Sequence, residues 1–140
     1  MFTLTKRALP FLFGAFISVQ IVSCNPLKVI VGIENISQTN LLRQLETKQA
    51  PLIIDVRSPS EYAAGHIPGA INIEFRQLQK RIDEIIQFRN STIVVYCETG
   101  LRVQVVEIAL LQAGFKSILH LEGHMSAWRS NSLPLAKPDP

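Results

Sequence analysis

Thr92-Ile93-Val94-Val95-Tyr96-Cys97-Glu98-Thr99-Gly100-Leu101-Arg102 joins two different periodicities around one thiol. Residues 92–96 are a short β-branched apolar run, the pattern of a strand buried on both faces. From about Arg102 the pattern predicts a helix, with Val105, Val106, Ile108, Ala109, Leu110 and Leu111 supplying its apolar face. Cys97 therefore stands in a strand-loop-helix turn, where the first amides of the helix lack partners and carry positive partial charge. Such amides stabilise an anion on sulfur. Buried cysteines also serve as small core hydrophobes. Here, however, Gly100 lets the chain close tightly around the sulfur, and Arg102 sets a fixed positive charge at the end of the loop. Together they favour a nucleophile.

Outward from this turn, strands alternate with helices. Ser37 caps a helix through Leu41, Leu42 and Leu45 to about Lys48, and residues 52–55 read as a buried strand. Ser58-Pro59-Ser60-Glu61 is a capping box with proline at the first helical position, so a short helix follows Arg57 and ends at Gly65. A turn at 66–69 leads into a strand over 70–73. Phe75, Leu78, Ile82, Ile85 and Ile86 then mark one face of a helix over 74–88. Beyond Gly114 come a strand over 117–121 and a closing helix over 124–129. This alternation predicts an α/β fold, a parallel sheet flanked by helices on both faces, with ligands at the carboxyl ends of the strands. Cys97 lies at such an end.

Several short elements stand in a fixed order: Asp55-Val56-Arg57, Glu61-Tyr62, Gly65-His66-Ile67-Pro68-Gly69-Ala70-Ile71-Asn72, Cys97 and Arg102 with four residues between them, and Leu121-Glu122-Gly123-His124-Met125-Ser126-Ala127-Trp128. In that order and spacing the chain resembles the rhodanese family over about residues 35–135. The resemblance implies a sulfurtransferase. The Cys97 thiolate would take a sulfane sulfur from a thiosulfate-like or persulfide donor, hold it as a persulfide, and pass it to cyanide or a thiol. Cys97 and Arg102 are then catalytic, and Glu98, Thr99, Gly100 and Leu101 form the substrate-binding loop. Asp55, Arg57 and Glu61 order its rim, and no cofactor is implied. By spacing alone, Arg57 and Glu61 can pair across one turn.

Three residues depart from the family's pattern. Glu98 stands where thiosulfate-preferring relatives often carry basic residues, and a carboxylate there repels both the thiolate and an anionic donor, with Arg102 placed to offset it. Val103 replaces a serine and His124 a glycine common at those positions. Dual-specificity phosphatases and arsenate reductases are rivals, but the phosphatase loop has five residues between cysteine and arginine and cradles a tetrahedral oxyanion. The shorter loop suits one sulfur atom. A non-catalytic, partner-binding module is the other alternative, and it has no need of Cys97, Gly100 and Arg102 together. His66 reads as a turn residue and His120 as a strand residue, so with His124 the histidines are too scattered for a metal site.

At 140 residues and 47% apolar content the chain allows one sizeable core. Lys6 and Arg7 precede an uncharged apolar run over 8–22, the layout of a secretory signal and short of the ~20 residues that span a bilayer. Ile21-Val22-Ser23-Cys24 resembles a bacterial lipobox, which makes residues 1–23 a signal peptide and Cys24 a lipidated N-terminus. Residues 24–34 are then a tether, 35–135 the domain, and 136–140 the tail of a proline-rich end that frays from about Leu133. The expected location is the exported side of a membrane, the outer one where a cell has two, since Asn25 follows the cysteine. Lipidation of Cys24 would leave Cys97 without a disulfide partner in an oxidising compartment, which suits a thiol that does chemistry. From Cys24 onward 12 basic residues face 11 acidic ones, and no basic cluster interleaved with aromatics marks a nucleic-acid surface. The expected partners are a small sulfur donor, a thiol or cyanide acceptor and, through the anchor, a membrane. The domain is expected to act as a monomer.

Overall fold

The β-branched run that ends at Cys97 forms the middle strand of a five-stranded sheet. The computed structural model describes residues 33–138. Its elements follow as β1 (Ile33–Ile36), α1 (Gln38–Glu46), β2 (Leu52–Asp55), α2 (Pro59–Ala64), β3 (Ile71–Asn72), α3 (Leu78–Arg81), β4 (Thr92–Tyr96), α4 (Leu101–Gln112), β5 (Ser117–Leu121) and α5 (His124–Ser130). The strand order is β1-β5-β4-β2-β3, and every pairing is parallel. From β2 the chain winds to one side, towards β3, and from β4 to the other, towards β5. The carboxyl ends of β2 and β4 therefore bound the switch point where open parallel sheets place their ligands.

Side chains alternate between two cores, as the two-residue repeat of a strand requires. Ile54, Ile93, Val95 and Ile118 face Leu78, Ile85, Val103, Val106 and Leu110. Ile53, Val94, Tyr96 and Leu121 face Leu41, Met125 and Trp128. Helices thus cover both faces of the sheet, and β4 is buried along all but its first residue.

The structure differs from the sequence expectations at four places. The helix over 74–88 is a single turn, α3, followed by two 3-10 turns at Ile82–Glu84 and Ile86–Phe88. No side chain caps it, and Ile82, Ile85 and Phe88 recur every three residues, the repeat that a 3-10 helix stacks on one side. On α4 the buried face is Val103, Val106, Glu107 and Leu110, while Val105 and Ile108 are 60% and 58% exposed. The helical pitch puts those two on the opposite side from Val103 and Val106. The proline-rich end does not fray at Leu133, because that residue packs against the second core and Trp128 Nε1 donates to the Pro134 carbonyl at 2.8 Å. His66 and Ala136 also exchange backbone hydrogen bonds. Finally, β1 begins inside the expected tether. The signal segment 1–23 and Cys24 lie outside the described residues. Among the described residues no helix is long and apolar enough to cross a membrane.

Candidate active site

Cys97 directly follows β4, so its position is fixed by the innermost strand of the sheet. Gly100 closes the loop at φ +108°, a conformation that L side chains rarely adopt, and its N–H donates to Cys97 Sγ at 3.1 Å. The carbonyls of the loop are held from the other side. Met125 N–H donates to the Cys97 carbonyl at 3.0 Å and Ser126 N–H to that of Glu98 at 3.1 Å, both from the first turn of α5. The sulfur is thus fixed between the start of α4 and the start of α5. Cys97 is 1% exposed, whereas Thr99 and Leu101 on the loop rim face solvent.

Arg102 does not reach Glu98. Its guanidinium grips Glu61 at the start of α2 through two hydrogen bonds of 2.6 and 2.8 Å. The Glu61 carboxyl is held down to about 2, first by these bonds and then by the Ser58 backbone and hydroxyl of its capping box. Arg102 is pushed upward by the same pair, with a smaller push from Cys97. The expected pairing of Arg57 with Glu61 is absent because each has a better partner. Arg57 turns back on Asp55 with contacts of 3.0, 3.0 and 2.6 Å, and also donates to the Gly65 carbonyl at 2.8 Å. Burial works to lower the Arg57 pKa, but the bonds and charge of Asp55 outweigh it and leave it raised.

Two residues outside the expected set complete the rim. Tyr96 Oη donates to Asp55 Oδ2 at 2.8 Å and accepts from the Ile67 amide, and its own proton is held firmly by burial and by the Asp55 charge. Arg129 pairs with Glu98 from α5, and Arg57 Nη1 reaches the same carboxylate at 3.4 Å. Glu98 is therefore compensated by Arg57 and Arg129. Arg129 follows directly on the Leu121–Trp128 motif, so its place next to that motif was the available signal. All nine expected domain residues fall around the switch point, with Asp55, Arg57 and Glu61 on the β2–α2 side and Cys97 to Arg102 on the β4–α4 side.

A parallel sheet with a cysteine loop at its switch point defines the class of protein. Residues 37–131 match the model of the Rhodanese-like domain, and the chain belongs to that family. It is 31% identical over 107 residues to a sulfurtransferase of Allochromatium vinosum, across 76% of this chain and 98% of that one. It is 28% identical over 97 residues to a putative sulfur carrier protein of Bacillus subtilis, across 69% of this chain but only 51% of that one. A crystal structure of a rhodanese-related protein from Thermoplasma volcanium matches with a TM-score of 0.64 at 27% identity, covering 75% of this chain and 99% of that chain.

Proposed function

We propose that the chain is a sulfurtransferase that carries a sulfane sulfur on Cys97. The observation that supports this most is the Gly100 N–H directed at Cys97 Sγ at 3.1 Å, in a loop tied to α5 at the switch point. The thiolate attacks the outer sulfur of the donor, the donor's S–S bond breaks, and its remainder leaves with the electron pair. With thiosulfate the leaving group is sulfite. Cyanide or a thiolate acceptor then attacks the outer sulfur of the Cys97 persulfide, and the Cys97 thiolate is restored. Two displacements at one sulfur give ping-pong kinetics. Negative charge stays near the loop throughout, where an oriented N–H stabilises it without a partner base.

The pairing of Glu98 with Arg57 and Arg129 supports a site open to anionic donors as well as to a protein persulfide. Intact-mass measurement after exposure to thiosulfate should show the gain of one sulfur atom, lost on adding cyanide. Cys97→Ser should show neither the adduct nor turnover, with unchanged circular dichroism. Turnover retained in that variant sinks the assignment.

We further propose, independently of that activity, that the domain is held by a lipid anchor at Cys24 on the exported side of a membrane. Its support is the sequence pattern of residues 6–24. Cys24→Ala should alter processing and release the domain from membranes; identical partitioning of both forms counts against it.

A further inference from the structure

His124 takes no part in the chemistry above, yet it is buried against the reactive loop. Its backbone sits at φ +51°, a left-handed conformation uncommon for any residue with a Cβ, although histidine and asparagine visit it more often than most. A strained residue persists only where its surroundings hold it there. Its ring supplies that hold. Cys97 N–H donates to His124 Nδ1 at 3.4 Å, and a Cβ added to Gly100 would fall 2.7 Å from His124 Nε2. The ring therefore fills the space above Gly100 and gives the buried Cys97 amide its acceptor.

The ring is itself braced. The rings of His120, on β5, and His124 meet nearly at right angles, 4.5 Å between centroids, and His120 Nδ1 meets Glu107 Oε1 at 2.7 Å. Glu107 lies on the buried face of α4. A line of polar side chains thus runs from α4 through β5 to the start of α5 and ends at the amide of the reactive cysteine.

We propose that His124, backed by His120 and Glu107, is a positioning residue for Cys97: its neutral ring accepts the Cys97 N–H and so fixes the peptide from which the sulfur projects. An amide can only donate, so Nδ1 must hold a lone pair and the ring proton must reside on Nε2. This rests on the sulfurtransferase reading for its consequence but not for its geometry. Asparagine tolerates positive φ and carries Oδ1 where histidine carries Nδ1, so it can replace the acceptor; glycine relieves the backbone but supplies none.

Long-range proton–nitrogen NMR of the purified chain should show His124 as the Nε2–H tautomer at neutral pH. Amide exchange at Cys97 should accelerate about tenfold or more in His124→Gly and stay near wild type in His124→Asn. Sulfur transfer should fall about tenfold in kcat/KM in the glycine variant and return to within about threefold in the asparagine variant, the scale of one lost hydrogen bond. A ring proton on Nδ1, equal loss in both variants, or wild-type exchange in His124→Gly overturns the proposal. The tautomer and exchange measurements need no turnover. A chain with both signatures but no sulfur transfer would support the positioning of Cys97 while refuting the enzymatic reading.

Discussion

Replacing Glu61 by Gln removes one charge from the bridge between α2 and α4 and keeps an oxygen for the capping box. The Ser58 N–H and hydroxyl both bond Glu61 Oε2, at 2.9 and 2.8 Å, and a glutamine oxygen can accept the same pair. What is lost is the charge facing Arg102. The Glu61 carboxyl is depressed from its ordinary 4.5 to about 2. At ~1.4 kcal/mol per unit that depression corresponds to an upper bound of roughly 3 kcal/mol. The side chains of Arg102 and Glu61 are 27% and 33% exposed, so solvent screening cuts the expected contribution to about 1 kcal/mol.

The sign of the pH dependence follows from the direction of the shift. A depressed carboxyl stabilises the fold above its unfolded pKa, and that contribution is lost as pH falls through the folded value. Wild type should therefore exceed Glu61→Gln by about 1 kcal/mol at pH 7 in urea denaturation. The gap should narrow as pH falls below 4.5 and close only below about pH 2, once the Glu61 carboxyl is protonated in the folded chain as well. A gap that stays constant from pH 7 to the acid limb would refute the reasoning. It would assign the whole effect to packing or capping.

Asp55→Asn leaves the buried Arg57 guanidinium facing a neutral amide and should cost about 4 kcal/mol of unfolding free energy in denaturant, against about 2 kcal/mol for Tyr96→Phe, which removes two hydrogen bonds, one to Asp55 and one from the Ile67 amide. Similar losses in the two variants would show that the Arg57 charge is compensated elsewhere. Gly100→Ala puts a Cβ 2.7 Å from His124 Nε2 at φ +108°, so sulfur transfer should fall at least about tenfold; an unchanged rate means that the loop does not need its closed form. Glu98→Gln frees Arg129 beside the loop and should raise the thiosulfate rate a few fold at low salt, with the gain fading near ~1 M salt as charges are screened. An unchanged or lower rate at every ionic strength would place the donor away from this carboxylate.

Cys97, its strand and its glycine were legible because each is a local matter: β-branching, a short apolar run and one residue suited to positive φ. The capping box at Ser58–Glu61 was legible for the same reason. Ion-pair partners were not. Arg57 with Glu61 is a sound local guess at four residues' spacing, but the contacts that replace it depend on how β2 lies against β4. The inward face of α4 was misjudged because this helix has apolar residues on several sides, and only the sheet beneath it decides which are buried. His124 carried a signal, a bulky residue where glycine is common, but its acceptor role becomes visible only when the start of α5 is placed over Gly100.

One register accounts for the long-range pairs together. Asp55 stands opposite Tyr96 in the parallel ladder, 41 residues apart, and the same separation of 41 relates Arg57 to Glu98 and Glu61 to Arg102. The two segments therefore stay in step past the ends of their strands, through both loops and into the first turns of α2 and α4. Loop length is the quantity that keeps this step. One residue inserted between Cys97 and Arg102 would turn the arginine about 100° around α4, away from Glu61, unless the added residue widened the loop instead. A loop of four intervening residues thus does two things at once: it lets Gly100 N–H close on the sulfur, and it delivers the arginine to Glu61 at the start of α2 while keeping it close enough to Cys97 to feel the sulfur.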